Sequence, residues 1–144
     1  MTDAVLIASR AMVALAARTI PDDVTLAQFR ALVVVREHDG ITPGELAERM
    51  GVNASTATRA VQRLETKRYL RRRPGSDRRM VCLHLTAGGR RLVDSALERR
   101  RAQLDVIVRR IPRAERQHLV SALAAFSRAA GEEPVPAWAE GWKA

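Results

Sequence analysis

The side chains best suited to chemistry are guanidinium groups, and they are gathered rather than scattered. Between Arg49 and Arg79 lie ten basic residues (Arg49, Arg59, Arg63, Lys67, Arg68, Arg71, Arg72, Arg73, Arg78, Arg79), opposed only by Glu65 and Asp77. That stretch carries a net +8 of the +9 of the whole chain, so the remaining residues are nearly balanced. A focused cationic patch attracts a polyanion by releasing its condensed counterions. Of the 25 basic residues 23 are arginine, the side chain whose planar fork matches phosphates and guanine edges. A GC-rich genome would raise the arginine share as well, so the position of the charges says more than their number.

The patch falls on two kinds of element. In a helix beginning after Asn53, Ala57, Val61 and Leu64 form a buried stripe, which leaves Ser55, Thr56, Arg59, Gln62 and Arg63 facing outward. Small hydroxyls near a helix start permit close approach to phosphates and base edges, and Arg59 and Arg63 can reach guanine O6 and N7 in a major groove. The alternative is an ordinary solvated helix face.

Beyond Lys67 the period shortens to two. Leu70 to Arg73, a turn at Pro74-Gly75-Ser76-Asp77, then Val81, Leu83 and Leu85 read as a hairpin. With Arg71, Arg72 and Arg73 on one strand and Asp77, Arg78 and Arg79 at its tip, it can carry an arginine into a minor groove. Asp77 would be repelled by phosphates, so its expected role is to hold Arg79 from the same side of an extended strand. A basic edge that discourages strand pairing is the competing explanation.

The flanking sequence supplies the elements that position these groups. Residues 4–18, with Val5, Ala8, Met12, Leu15 and Ala16 at helical spacing, are expected to form a buried helix. Arg10 interrupts that stretch and Asp3 precedes it, so it is not read as a signal peptide or membrane span. Thr25-Leu26-Ala27-Gln28 is a capping box opening a helix that carries Phe29, Leu32, Val33 and Val35 toward Gly40. Thr42-Pro43-Gly44-Glu45 is a second, with Pro43 in the first helical turn and Gly51 closing a short helix. Two helices joined by so tight a glycine turn constitute a helix-turn-helix. After Thr86 a long helix runs to about Arg110, and Pro112 opens a last one with Leu119, Leu123, Phe126 and Ala130 on one stripe.

A chain of 144 residues is enough for a single domain with a tail. The lone Cys82 permits no internal disulfide, which points to a reducing compartment and a cytoplasmic protein. Cys82 itself is either a small strand residue or, less simply, a redox-sensitive thiol. His38, His84 and His118 lack metal-ligand spacing, so no metal and no other cofactor is expected. There is no phosphate-binding glycine loop, no paired carboxylates in an apolar setting and no nucleophile–base arrangement, so no catalytic residues are assigned and the chain is not read as an enzyme.

Three stretches together resemble the MarR family of transcriptional regulators. Asp77-Arg78-Arg79-Met80-Val81-Cys82-Leu83-His84-Leu85-Thr86, with Gly88-Gly89 behind it, is similar to the family's wing; Thr42 to Val52 resembles the helix before its recognition helix. Ser55-Thr56-Ala57-Thr58-Arg59 resembles the start of the recognition helix. The resemblance implies a mainly α protein with a small β-hairpin wing, a winged helix-turn-helix plus a helical dimerisation stalk. In domain terms, residues 1–130 form one unit, with a DNA-binding lobe at about 25–86, dimerisation helices at about 3–19 and 87–130, and a tail at 131–144.

The implied function is regulation, most often repression, by a homodimer on a pseudo-palindromic double-stranded operator, with release by a small-molecule effector. It assigns Ser55, Thr56, Thr58, Arg59 and Arg63 to the major groove and phosphates, and Arg79, steadied by Asp77, to the minor groove. Met12, Leu15 and Phe29 are near an effector site by location only. The family usually has glycine where the recognition helix ends; this chain has Arg68-Tyr69, and its wing turn is about one residue short. Independently of the family, the first and last helices carry more apolar surface than one small core can cover, so a second copy is expected to meet them. A winged-helix protein-interaction module is the alternative function. The run Glu98-Arg99-Arg100-Arg101 is expected to be a solvated face. Trp138 and Trp142 are expected to dock the tail on its own domain or a partner subunit, the alternative being a loose terminus.

Overall fold

A computed structural model describes residues 2–75, 77 and 79–131. Arg78, Trp138 and Trp142 lie outside the described residues, and with them the reading of the tail. Among the described residues the elements are α1 (Thr2–Thr19), α2 (Leu26–Glu37), α3 (Pro43–Met50), α4 (Ala54–Thr66), β1 (Leu70–Pro74), β2 (Val81–Leu85), α5 (Ala87–Arg109) and α6 (Arg113–Ala129). The chain divides into two compact units, Met1–Arg101 and Ala102–Ala144.

Local side-chain chemistry starts the helices of the first unit. At α2 the Gln28 N–H donates to Thr25 Oγ1 at 3.2 Å while the Thr25 N–H donates to Gln28 Oε1 at 3.2 Å. At α3 the Thr42 N–H donates to Glu45 Oε2 at 2.8 Å and the Glu45 N–H returns a bond to Thr42 Oγ1 at 3.3 Å. These bonds satisfy amides that a helix start leaves free. The Thr42 backbone bond, then its hydroxyl, hold the Glu45 carboxyl below its ordinary pKa. Gly51 ends α3 at φ 66°, a left-handed conformation that glycine adopts without a steric cost. Asn53 then caps α4, its Oδ1 accepting from the Thr56 N–H at 2.8 Å.

The core is assembled by these elements facing inward. Phe29, Leu32 and Val35 of α2 meet Leu46 and Met50 of α3, Val61 and Leu64 of α4, Leu70, Leu83 and Leu85 of the hairpin, and Val93 and Ala96 of α5. The strands pair antiparallel from Leu70↔Leu85 to Pro74↔Val81. The second edge of β2 is not open, because the Gly40 N–H donates to Leu83 O at 3.1 Å and the Leu83 N–H to Ile41 O at 2.8 Å. The root of the hairpin is thereby stitched to the loop between α2 and α3.

One expectation about the outer helices is corrected: the first is not a buried helix. Only Leu15 and Thr19 of α1 are buried, while Leu6, Ile7 and Val13 stand 58%, 68% and 55% exposed. Of the expected stripe, Leu15 is buried and Ala16 half-buried, whereas Val5, Ala8 and Met12 are exposed. In the second unit no residue of α6 is buried and Phe126 is 55% exposed, in line with the expectation that the last helix carries apolar surface its own core does not cover. A second correction concerns Arg100: Glu98, Arg99 and Arg101 are exposed as expected, but Arg100 is half-buried, and both Arg99 and Arg100 reach back to α1. Arg99 Nη2 donates to Thr19 O at 2.9 Å; Arg100 Nε donates to Thr19 Oγ1 at 3.3 Å and its guanidinium lies 5.3 Å from the Phe29 ring centre. These cations stand at the C-terminal end of α1, where helix carbonyls lack partners and the dipole is negative. Burial lowers the pKa of Arg100.

Candidate nucleic-acid interface

On α4 the buried stripe is Ala57, Val61 and Leu64, as the spacing requires. The opposite face presents Ser55, Arg59, Gln62 and Arg63 exposed, with Thr56 and Thr58 half-buried at its margin. Ser55 Oγ donates to Asn53 Oδ1 at 2.8 Å and receives Arg59 Nη2 at 3.5 Å, so the hydroxyl links the cap to the first arginine of the face. Thr56 contributes its backbone N–H to the cap.

The hairpin lies in the same unit as α4 and follows it after three residues. Arg71, Arg72 and Arg73 are exposed along β1, but they are not equivalent. Arg72 Nε pairs with Glu65 Oε2 at 3.1 Å, which ties the strand to the last turn of α4. At the tip the expected side-chain pairing of Asp77 with Arg79 is replaced by another contact: Asp77 Oδ1 accepts from the Arg79 backbone N–H at 2.9 Å. The reason is that Asp77 and Arg79 are not in an extended strand; β2 starts at Val81, and the Met80 N–H closes a turn onto Asp77 O at 2.9 Å. Asp77 therefore shapes the loop backbone and leaves the exposed Arg79 guanidinium to project from it.

Sequence reasoning missed the residues that anchor the junction between helix and hairpin. Arg68 adopts φ 59°, the left-handed region, although it carries a Cβ. Its carbonyl accepts from Thr86 Oγ1 at 2.6 Å, and the Thr86 N–H donates to Tyr69 O at 3.0 Å. Gly89 abuts Tyr69 so closely that an added Cβ would fall 2.0 Å from its carbonyl oxygen. Only the positions of Gly88-Gly89 in the wing-like stretch hinted at this contact.

A short helix, a tight turn, a second helix with a polar outer face and an arginine-bearing antiparallel hairpin define a winged helix-turn-helix. Residues 22–80 match the model of the MarR family. Over 70 residues the chain is 40% identical to the multiple antibiotic resistance protein MarR of Escherichia coli, an alignment spanning 48% of this chain and 49%, about half, of that protein. The apo crystal structure of E. coli MarR superposes with a TM-score of 0.75 at 26% identity, covering 88% of this chain and 95% of the other. RV1404 from Mycobacterium tuberculosis is 39% identical with a TM-score of 0.86, over 92% and 93% of the two chains. The fold is also that of Streptococcus pneumoniae FabT, solved in complex with DNA, at 23% identity and a TM-score of 0.69 over 76% and 78%. The chain belongs to the MarR family. Membership of a family of transcription regulators agrees with the expectation that it is not an enzyme. Among the described residues no helix is long and apolar enough to cross a membrane.

Proposed function

We propose that this protein is a sequence-specific regulator of transcription that binds double-stranded DNA. The observation that carries the reading is that the outward face of α4 and the arginines of the hairpin are exposed together in one compact unit. In this reading Ser55, Thr56, Thr58, Arg59, Gln62 and Arg63 meet phosphates and base edges in a major groove. Arg72, Arg73, Arg78 and Arg79 serve the flanking backbone and minor groove, with Asp77 shaping the loop.

A homodimer on a pseudo-palindromic operator is the finer form of the proposal. Its support is the uncovered apolar surface of α1 (Val5, Leu6, Ile7, Met12, Val13) and of α6 (Leu123, Phe126), which a second copy would cover. Two recognition helices would then lie about 34 Å apart along one side of the duplex. Repression, and release by a small-molecule effector, rest on family membership.

The test is a titration against DNA from upstream of the protein's own coding sequence and against a scrambled duplex, at two salt concentrations. Arg79→Ala should weaken binding to the upstream duplex by about 1–3 kcal/mol. Arg63→Ala should do the same and lower the log–log salt slope by about one. Variants that bind like the parent would show that the assigned interface is wrong. Failure of the parent to bind either duplex would favour a protein-interaction module.

A further inference from the structure

The junction between recognition helix and hairpin is gripped from a direction that DNA contact does not explain. Lys67 follows the last residue of α4, and its Nζ donates to the backbone carbonyl of Asp23, with Gln28 Oε1 also within reach at 3.4 Å. Two residues later the Tyr69 hydroxyl donates to Asp23 Oδ2 at 3.0 Å. Gln28 is already committed to the Thr25 capping box, so the amide that faces Lys67 is itself fixed. Two side chains leaving the α4–β1 junction thus close on one residue of the α1–α2 loop.

That loop is a firm anchor. Ile20 and Val24 are buried in the core, and the Val24 N–H closes a turn onto Pro21 O at 3.0 Å. Thr19, at its beginning, is held by Arg99 and Arg100. The junction needs such an anchor, because Arg68 between the two gripping residues is in a left-handed conformation that a residue with a Cβ adopts at a cost.

We propose that Asp23 is a positioning residue for the DNA interface: by holding Lys67 and Tyr69 it sets the angle between the recognition helix and the wing. The inference rests on the DNA-binding reading above. It makes Lys67, although central in the basic stretch, a structural fastener and not a phosphate ligand. A phosphate ligand and a fastener differ in one measurable respect. Removing a phosphate contact lowers the salt slope by about one, whereas misplacing the two reading elements lowers affinity for the preferred sequence and leaves counterion release as it was.

The experiment uses the full chain, a duplex selected by the parent from a random pool, and a scrambled duplex of equal length. Asp23→Ala and Lys67→Met are expected to weaken binding to the selected duplex about tenfold, and Tyr69→Phe about threefold. Binding to the scrambled duplex and the salt slope are expected to stay at the parent's values in all three. A second readout needs no DNA. Tyr69 is the chain's one tyrosine, and its bond to Asp23, then burial and the Asp23 charge, raise its pKa above 10.0. Absorbance titration of the phenol should therefore move down in Asp23→Ala.

Parent-like preference for the selected duplex in these variants would overturn the proposal, as would a salt slope lowered by about one in Lys67→Met. An unmoved phenol titration in Asp23→Ala would overturn the contact itself. A parent that does not distinguish the two duplexes would overturn the DNA-binding reading and the positioning role with it, while the phenol titration would still report the contact.

Discussion

Gly88 and Gly89 are neighbours at the start of α5, and alanine is expected to act oppositely at the two. At Gly89 an added Cβ would lie 2.0 Å from Tyr69 O, 2.9 Å from its carbonyl carbon and 3.2 Å from its Cα, all backbone atoms that no rotamer change can move. Relief requires the start of α5 to retreat from the strand by about 1 Å or more. That retreat stretches the bond from the Thr86 N–H to Tyr69 O, now 3.0 Å, and the one from Thr86 Oγ1 to Arg68 O, now 2.6 Å. Overpacking costs about 1–3 kcal/mol and each weakened bond about 1 kcal/mol, against a helix-propensity gain of about 0.5–1 kcal/mol. The net for Gly89→Ala is a loss of about 2–4 kcal/mol, or a melting temperature lower by roughly 10 °C for a chain of this length. At Gly88 the nearest atom to an added Cβ is Thr86 Oγ1 at 3.6 Å, an ordinary contact, so Gly88→Ala keeps the propensity gain and melts at or slightly above the parent. Urea and thermal unfolding at one fixed protein concentration decide the matter. A Gly89→Ala protein as stable as the parent, or a Gly88→Ala protein damaged equally, would refute the close-approach argument.

Arg68→Gly should raise the melting temperature by about 2–4 °C, since relief of a left-handed residue, about 1–2 kcal/mol, exceeds the extra chain entropy of glycine, about 0.5–1 kcal/mol; a lower melting point would contradict it. Arg100→Ala should cost about 2 kcal/mol in urea unfolding by removing the bond to Thr19 Oγ1 and the stacking on Phe29, and should speed hydrogen exchange in the last turn of α1. Unchanged exchange there would mean that Arg100 does not hold that helix end.

What was legible in the sequence was what residues within a few positions of one another decide. Thr25 with Gln28, Thr42 with Glu45, and Asn53 ahead of α4 announce helix starts because the bonds they make are to their own neighbours. The inward stripe of Ala57, Val61 and Leu64 followed from the helical period alone, and with it the outward set of the candidate interface. Contacts between distant positions left no such trace. Arg100 reads as solvated because nothing near it in sequence shows that Thr19 and Phe29 are waiting. Asp77 and Arg79 read as strand when the alternation of β2 is carried four residues back into what is a turn. The apolar face of α1 was visible, but periodicity reports that a helix has such a face and is silent on what covers it.

The attachment of α1 has a practical consequence. Its final turn is clasped by two guanidinium groups, while the twelve residues from Thr2 to Val13 are all exposed. A segment of that length is only marginally helical by itself in water, so whatever settles on Val5, Leu6 and Ile7 also supplies much of the free energy that keeps it wound. Where that occupant is a second copy, as proposed above, ellipticity and heat resistance rise with protein concentration, and values recorded at different dilutions describe different states of the same polypeptide.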